Sequence, residues 1–147
     1  MKVLYITILV LIISACSCGS AKGQQDNNLV PYDSLTQQSV YAFVEEMPHY
    51  IGGDIAFMTD FNKHFHYDYS LHSDENIQTK LHVRFVIDKK GILIGARIYD
   101  KNADELSEFE KAGLKALSSA QNWQAGMHSN KPVNVILTKV IHIDLAK

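Results

Sequence analysis

The chain reads as an α+β domain: a three-stranded antiparallel sheet with two helices packed on one face, and room for an extra short N-terminal strand. Three observations predict this. Leu81, Val83, Phe85 and Ile87 alternate with His82, Arg84 and Val86, and Ile92, Ile94, Ala96 and Ile98 alternate with Leu93, Gly95, Arg97 and Tyr99. A period of two is expected of strands with one buried face. Apolar residues recur at helical spacing before and after this pair, and a third apolar run, Pro132 to Leu145, closes the chain.

At 147 residues the chain holds one domain plus attachments, long enough to bury a real core. A net charge of −2 with both signs interspersed carries no basic footprint for nucleic acid. The two cysteines, Cys16 and Cys18, both lie near the N-terminus, so no disulfide staples the domain.

Lys2 precedes the apolar run Val3 to Ile13, which is short for a membrane span and suits a secretory h-region. It ends in Ile13-Ser14-Ala15-Cys16, which resembles a bacterial lipobox: a branched aliphatic residue, two small residues, then Cys. The resemblance implies a lipoprotein signal peptide over 1–15, cleavage before Cys16, and lipid on the Cys16 sulfur and amine. An ordinary signal peptide in which Cys16 is incidental is the plainer alternative. Buried acyl chains contribute roughly 0.8 kcal/mol per methylene, so a multiply acylated Cys16 anchors firmly. Removing Lys2 takes the net charge to about −3. Cys18 reads as a passenger thiol. Residues 16–39, rich in Ser, Gly, Gln, Asp and Asn, read as a flexible tether whose 17–39 portion stretches to about 80 Å at most.

The folded domain is expected over 40–147. Val40 to Met47 alternates Val40, Ala42 and Val44 with Tyr41 and Phe43, a short strand that Pro48 stops or confines to an edge. Asp54 is placed to cap a helix to about His66, with Ile55, Met58, Phe61 and Phe65 as its stripe. Tyr67 to Asn76 is polar and reads as loop. Asp88-Lys89-Lys90-Gly91 makes the hairpin turn, with Gly91 supplying a positive φ. Asn102 or Asp104 is placed to cap a second helix to about Gln121, striped by Leu106, Phe109, Gly113, Ala116, Leu117 and Ala120. Gly113 is tolerable there if the helix lies close on the sheet. Trp123 closes that helix and belongs to the core. In the last strand Val133, Val135, Leu137, Ile141 and Ile143 share a face, and Lys139 predicts a bulge or an exposed edge. A helix of about 18 residues, roughly 27 Å long, returns the chain to the start of the sheet. The last strand then lies antiparallel to Leu81–Ile87 and at the sheet's edge.

No arrangement of side chains reads as catalytic, so the chain is expected not to be an enzyme and to hold no cofactor. Glu45 and Glu46 are adjacent, and on a strand they point to opposite faces. Gly52-Gly53 lacks the strand–turn–helix spacing of a phosphate loop. His64, His66 and His72, with Asp68 between, are the candidate metal ligands, but i and i+2 on a regular helix do not share a face. His82 and His142 fall on the outer face of the sheet or toward its edge.

In order along the chain stand Val44-Glu45-Glu46-Met47-Pro48 followed by Gly52-Gly53, then Val83-Arg84-Phe85-Val86-Ile87-Asp88-Lys89-Lys90-Gly91, Trp123-Gln124-Ala125-Gly126, and Lys131-Pro132-Val133-Asn134-Val135. Together these pieces resemble the C-terminal domain of TonB, particularly its Bacteroidetes-type versions. The span from Val44 to Ile143 is about two-thirds of the chain. Asp68 and Ala125 stand where the family usually has Pro. A lipobox and a short tether stand where an energy transducer of this family has a transmembrane helix and a long Pro-rich spacer.

The resemblance implies a protein-binding module that receives an extended segment of a partner as an added strand. The implied contact is Val133, Asn134, Val135, Ile136, Leu137, Thr138, Lys139 and Val140. The implied partner is an outer-membrane TonB-dependent transporter or another envelope protein, with no nucleic acid and no small-molecule substrate. The counter-reading is that Val40–Val44 already occupies this edge. The implied place is the periplasmic side of the cell envelope, anchored through Cys16, with the outer membrane favoured because the tether is short. Two alternatives stand beside this reading: an energy transducer that retains its N-terminal segment, and a metal-binding lipoprotein using His64, His66 and His72. An uncleaved N-terminus would favour the first, and stoichiometric metal on the mature domain the second.

Overall fold

The computed structural model describes residues 30–72 and 79–143. The signal segment, Cys16, Cys18 and the tether as far as residue 29 lie outside the described residues, as do 73–78 of the polar loop and Asp144 and Leu145 of the last strand. In chain order the elements are β1 (Tyr32–Asp33), β2 (Gln38–Ser39), β3 (His49–Tyr50), α1 (Gly53–His64), β4 (Lys80–Ile87), β5 (Leu93–Ile98), α2 (Glu108–Ser119), β6 (Trp123–Gln124), β7 (Gly126–His128), β8 (Lys131–Val133) and β9 (Val135–His142). Short 3-10 turns lie at Tyr69–His72 and Ala103–Glu105.

The main sheet has the order β5-β4-β9, antiparallel throughout, as the chain's connectivity requires. The β4–β5 turn closes on Asp88. Its carboxylate accepts the Lys90 and Ile92 amides at 2.8 Å each, and Gly91, at φ 80°, donates to the Asp88 carbonyl. Leu81, Val83, Phe85 and Ile87 are buried on one face, as their alternation predicts. The return strand corrects the pattern. Arg84 pairs with Arg97 and Val86 with Ile94, so β5 carries one extra residue there. Such a bulge inverts the parity beyond it. Leu93 is therefore buried, while Ile92 is 45% exposed and Ile94 only partly buried. Gly95 sits in the bulge at φ 61°, and a β-carbon there would collide with the Thr36 methyl.

The β4–β9 ladder runs unbroken from Lys80↔His142 to Ile87↔Val135. Of the two outcomes expected at Lys139, an edge is present and a bulge is not. Lys139 lies on the inner face and solves its burial by reaching out, donating to Asp54 at 3.0 Å over the Phe57 ring.

Both helices start differently from expectation. Gly52, not Asp54, holds the N-cap position of α1, which ends at His64. Its buried residues are Phe57 and Phe61, with Phe65 stacked on Phe61, whereas Ile55 is 84% exposed. The i, i+4 spacing of the aromatics sets the inward face, and Ile55 falls off it. Asn102 caps only the 3-10 turn, and α2 begins after Ser107. Ser107 Oγ accepts the Glu110 amide at 3.2 Å while the Glu110 carboxylate accepts the Ser107 amide at 2.9 Å, a reciprocal cap that satisfies two orphan donors. Glu110 is buried and paired with Lys101 at 2.7 Å. Of the expected stripe, Phe109, Gly113, Ala116, Leu117 and Ala120 are buried, whereas Leu106 ends the 3-10 turn ahead of α2 and is half-buried. Gly113 lies hard against Leu81, the close approach expected of it.

Trp123 is the centre of an aromatic cluster, 5.2 Å from Tyr50, 5.6 Å from Phe57 and 5.4 Å from Phe85 by ring centroids. Its indole N–H donates to the Ala120 carbonyl at 2.8 Å, so the buried nitrogen is satisfied. Tyr50 pairs with Trp123 across β3–β6 and donates its hydroxyl to Asp60 at 2.5 Å. Burial and the Asp60 carboxylate push the Tyr50 phenol up to about 12.

The N-terminal part departs most from the sequence reading. Residues 30–39, expected to be tether, form the β1–β2 hairpin, and Arg97 Nη2 donates to Asp33 at 2.6 Å. Thr36 closes the same carboxylate through its amide and hydroxyl, at 3.0 and 2.8 Å. Val40 and Val86 are 2% and 0% exposed, outside the main core cluster. Val40 to Met47 is not a continuous strand. It makes one parallel bridge, Tyr41↔Val135, and one antiparallel bridge, Glu46↔Met127, because it crosses from the sheet to the β7–β8 hairpin.

Candidate functional site

The free side of β9 is defined by its pairing. Val135, Leu137, Lys139 and Ile141 turn their backbone groups toward β4, which leaves those of Ile136, Thr138, Val140 and His142 pointing outward. Tyr41 takes the start of this edge: its N–H donates to the Asn134 carbonyl at 2.8 Å, and its carbonyl accepts the Ile136 amide at 2.9 Å. Past that bridge, the amides of Thr138, Val140 and His142 and the carbonyls of Ile136, Thr138 and Val140 have no hydrogen-bond partner among the described residues. The edge is closed at one end and open at the other.

The eight sequence-predicted contact residues separate accordingly. Val133 belongs to β8 and pairs with Gly126. Asn134 is spent internally: its Oδ1 accepts the Lys89 amide at 3.0 Å and its Nδ2 donates to the Ser39 carbonyl at 3.3 Å. Val135, Leu137 and Lys139 face the core side, with Val135 fully buried. Ile136, Thr138 and Val140 lie on the outer face, and Thr138 and Val140 are exposed. The counter-reading holds only at Tyr41.

Beside the open stretch lies a pocket of about 560 Å³, with Phe43, Met47, Val40, Ile136, Thr138 and Arg84 among its walls. Phe43 is 85% exposed. Arg84 stands opposite Thr138 across the β4–β9 ladder and donates Nε to its hydroxyl at 3.3 Å, with its guanidinium 4.4 Å from the Tyr99 ring centroid. No carboxylate lies within ion-pair distance of Arg84 among the described residues, whereas the neighbouring Arg97 is neutralised by Asp33. Sequence parity placed Arg84 on the outer face but not beside Thr138, since strand register is a long-range fact. Phe43 was legible as an aromatic set against Val40 and Ala42. That it stands unburied beside the edge was not.

The other singled-out groups lie elsewhere. His64 donates Nδ1 to the Asp60 carbonyl at 2.8 Å, His66 is exposed, and the His72 side chain falls outside the described residues. Among the described residues no three His, Cys, Asp or Glu side chains converge to hold a metal. Glu45 accepts from His128 at 2.8 Å and from the Ser129 amide at 3.2 Å. Its own backbone amide, then these partners, hold its carboxyl below the usual range. His82 is exposed on the outer face with its ring tilted against Tyr99, 4.6 Å between centroids, and His142 is exposed. Among the described residues no helix is long and apolar enough to cross a membrane.

Fold and site together define a small α+β domain whose β9 edge is partly unpaired among the described residues. No protein-family model and no curated protein matches the chain. Among solved structures the chain is similar to the C-terminal domain of TonB from Helicobacter pylori, determined in solution by NMR. The TM-score is 0.43 at 18% identity, over 63% of this chain and 80% of that one.

Proposed function

We propose that the chain is a protein-binding module of TonB C-terminal type, taking an extended segment of an envelope protein as a fourth strand on β9. The observation that carries this is the unpaired run of backbone groups from the Ile136 carbonyl to the His142 amide. An added strand gains its affinity from such main-chain groups and its selectivity from pockets for alternate side chains. The ordered motif resemblance from Val44 to Ile143 supports the same reading and names the partner class, a TonB-dependent outer-membrane transporter or another envelope protein.

The anchor is Cys16, lipidated after removal of residues 1–15. The chain from Cys16 to Val30 stretches to about 50 Å at most, shorter than a tether reaching residue 39, because residues 32–39 form a hairpin. That reach favours the inner leaflet of the outer membrane over the inner membrane. Photocrosslinking in cells from Val140 tests the binding reading. A transporter's extended segment captured there supports it, and links only to this chain's own residues would refute it. Loss of fatty-acid labelling in Cys16→Ser tests the anchor; labelling that persists would sink it.

A further inference from the structure

We infer that the open edge selects a peptide with a glutamate on its outer face, opposite Thr138, bound by Arg84. This rests on the strand-addition reading and names the chemistry of the strand to be added. Neighbouring strands lie about 4.8 Å apart, so an added strand stands roughly 9.6 Å from β4, too far for two short side chains to meet. Arg84 closes half that gap, because its Nε already reaches over β9 to the Thr138 hydroxyl. A side chain opposite Thr138 shares the outer face with it and leans into the same pocket.

The charge in that pocket is unbalanced. Asp33 neutralises Arg97, and Arg84 contributes the remaining positive charge, with its Nη groups free of any carboxylate among the described residues. Carboxylate and guanidinium match as a two-pronged pair. Glutamate spans the remaining distance with one methylene more than aspartate, and that methylene runs past Phe43 and Ile136. The next outer-face position of the added strand falls beside Val140, which is 51% exposed and fits an aliphatic side chain. Tyr41 blocks the position in the other direction, which fixes where the strand ends.

The test uses the full chain in detergent and three nine-residue peptides, with valine at odd and threonine at even positions and glutamate, glutamine or lysine at the centre. Amide NMR shifts at Thr138 and Val140 report strand addition, and the titration gives each affinity. The glutamate peptide is expected to bind about tenfold tighter than the glutamine peptide, and the lysine peptide weakest. Arg84→Glu should reverse that order, and Arg84→Gln should level it. Equal affinities with shifted Thr138 and Val140 amides would overturn the acidic preference and leave strand addition standing. A glutamate preference that survives in Arg84→Gln would remove Arg84 from the role. No shift at those amides with any peptide would overturn strand addition and this inference with it.

Discussion

The two faces of the main sheet are made from alternate residues of the same strands, yet they end in different states. On the inner face of β4, Leu81, Val83, Phe85 and Ile87 are all buried under the helices and the aromatic cluster. On the outer face, burial rises along the strand: His82 is exposed, Arg84 half-buried and Val86 fully buried. Val86 lies at the end where Thr36 approaches Gly95 and Tyr41 bridges to Val135. Helices and the aromatic cluster bury the inner residues of β4 along its whole length, and a ten-residue hairpin closes only one end of the other face. The open region of the molecule is what that hairpin does not reach.

The comparison breaks most severely at the inner face. Trp123→Ala removes the hub of four rings and leaves a cavity, and should cost roughly 3–5 kcal/mol. Chemical denaturation measures this. A change below about 1 kcal/mol would mean that the cluster is not what holds the helices on the sheet.

The outer face depends on a single carboxylate. Asp33→Ala leaves Arg97 half-buried without its partner and frees Thr36, and should cost about 1–3 kcal/mol. Burial works against ionisation of Asp33, but the Thr36 hydrogen bonds and the Arg97 charge outweigh it, so the carboxyl titrates below 3.8. A depressed pKa in the folded state gives stability that is present above the unfolded value and lost as pH falls through the folded one. The difference between wild type and Asp33→Ala should therefore be constant above about pH 5 and shrink below pH 4. A difference unchanged at pH 3 would assign the effect to packing. The same variant should speed amide exchange at Val86 more than at Phe85.

The asymmetry between the faces also explains what the sequence disclosed. The inner face was legible because period two in β4 and period 3.6 in α2 both select it, and Trp123 and Gly113 fell where those patterns put them. The parity of β5 was not, because the bulge at Gly95 answers to Thr36, distant in sequence and carrying no local signal. The hairpin over residues 30–39 has too few apolar residues to register, and its hold is an ion pair 64 residues apart. The edge was legible in kind, since β9 follows a returning helix. Its occupation by the Val40–Val44 segment stood as the counter-reading, but its restriction to Tyr41 was not legible: one parallel bridge has no periodicity to read.

The smallest effect is expected at Lys139, where the inner face meets the edge. Its ammonium pairs with Asp54, which is 87% exposed, so water competes for both charges and the pair is worth at most about 1 kcal/mol. Lys139→Met keeps the aliphatic stem over Phe57 and removes only the charge, and its unfolding free energy should match wild type within about 1 kcal/mol. The charge matters more for what the edge attracts, since a lysine on an exposed strand discourages pairing with another copy. Sedimentation should therefore show more self-association in Lys139→Met than in wild type at equal concentration. A monomeric variant that has lost more than about 2 kcal/mol would reverse this assignment, making Lys139 a strut between α1 and β9 rather than a guard on the open edge.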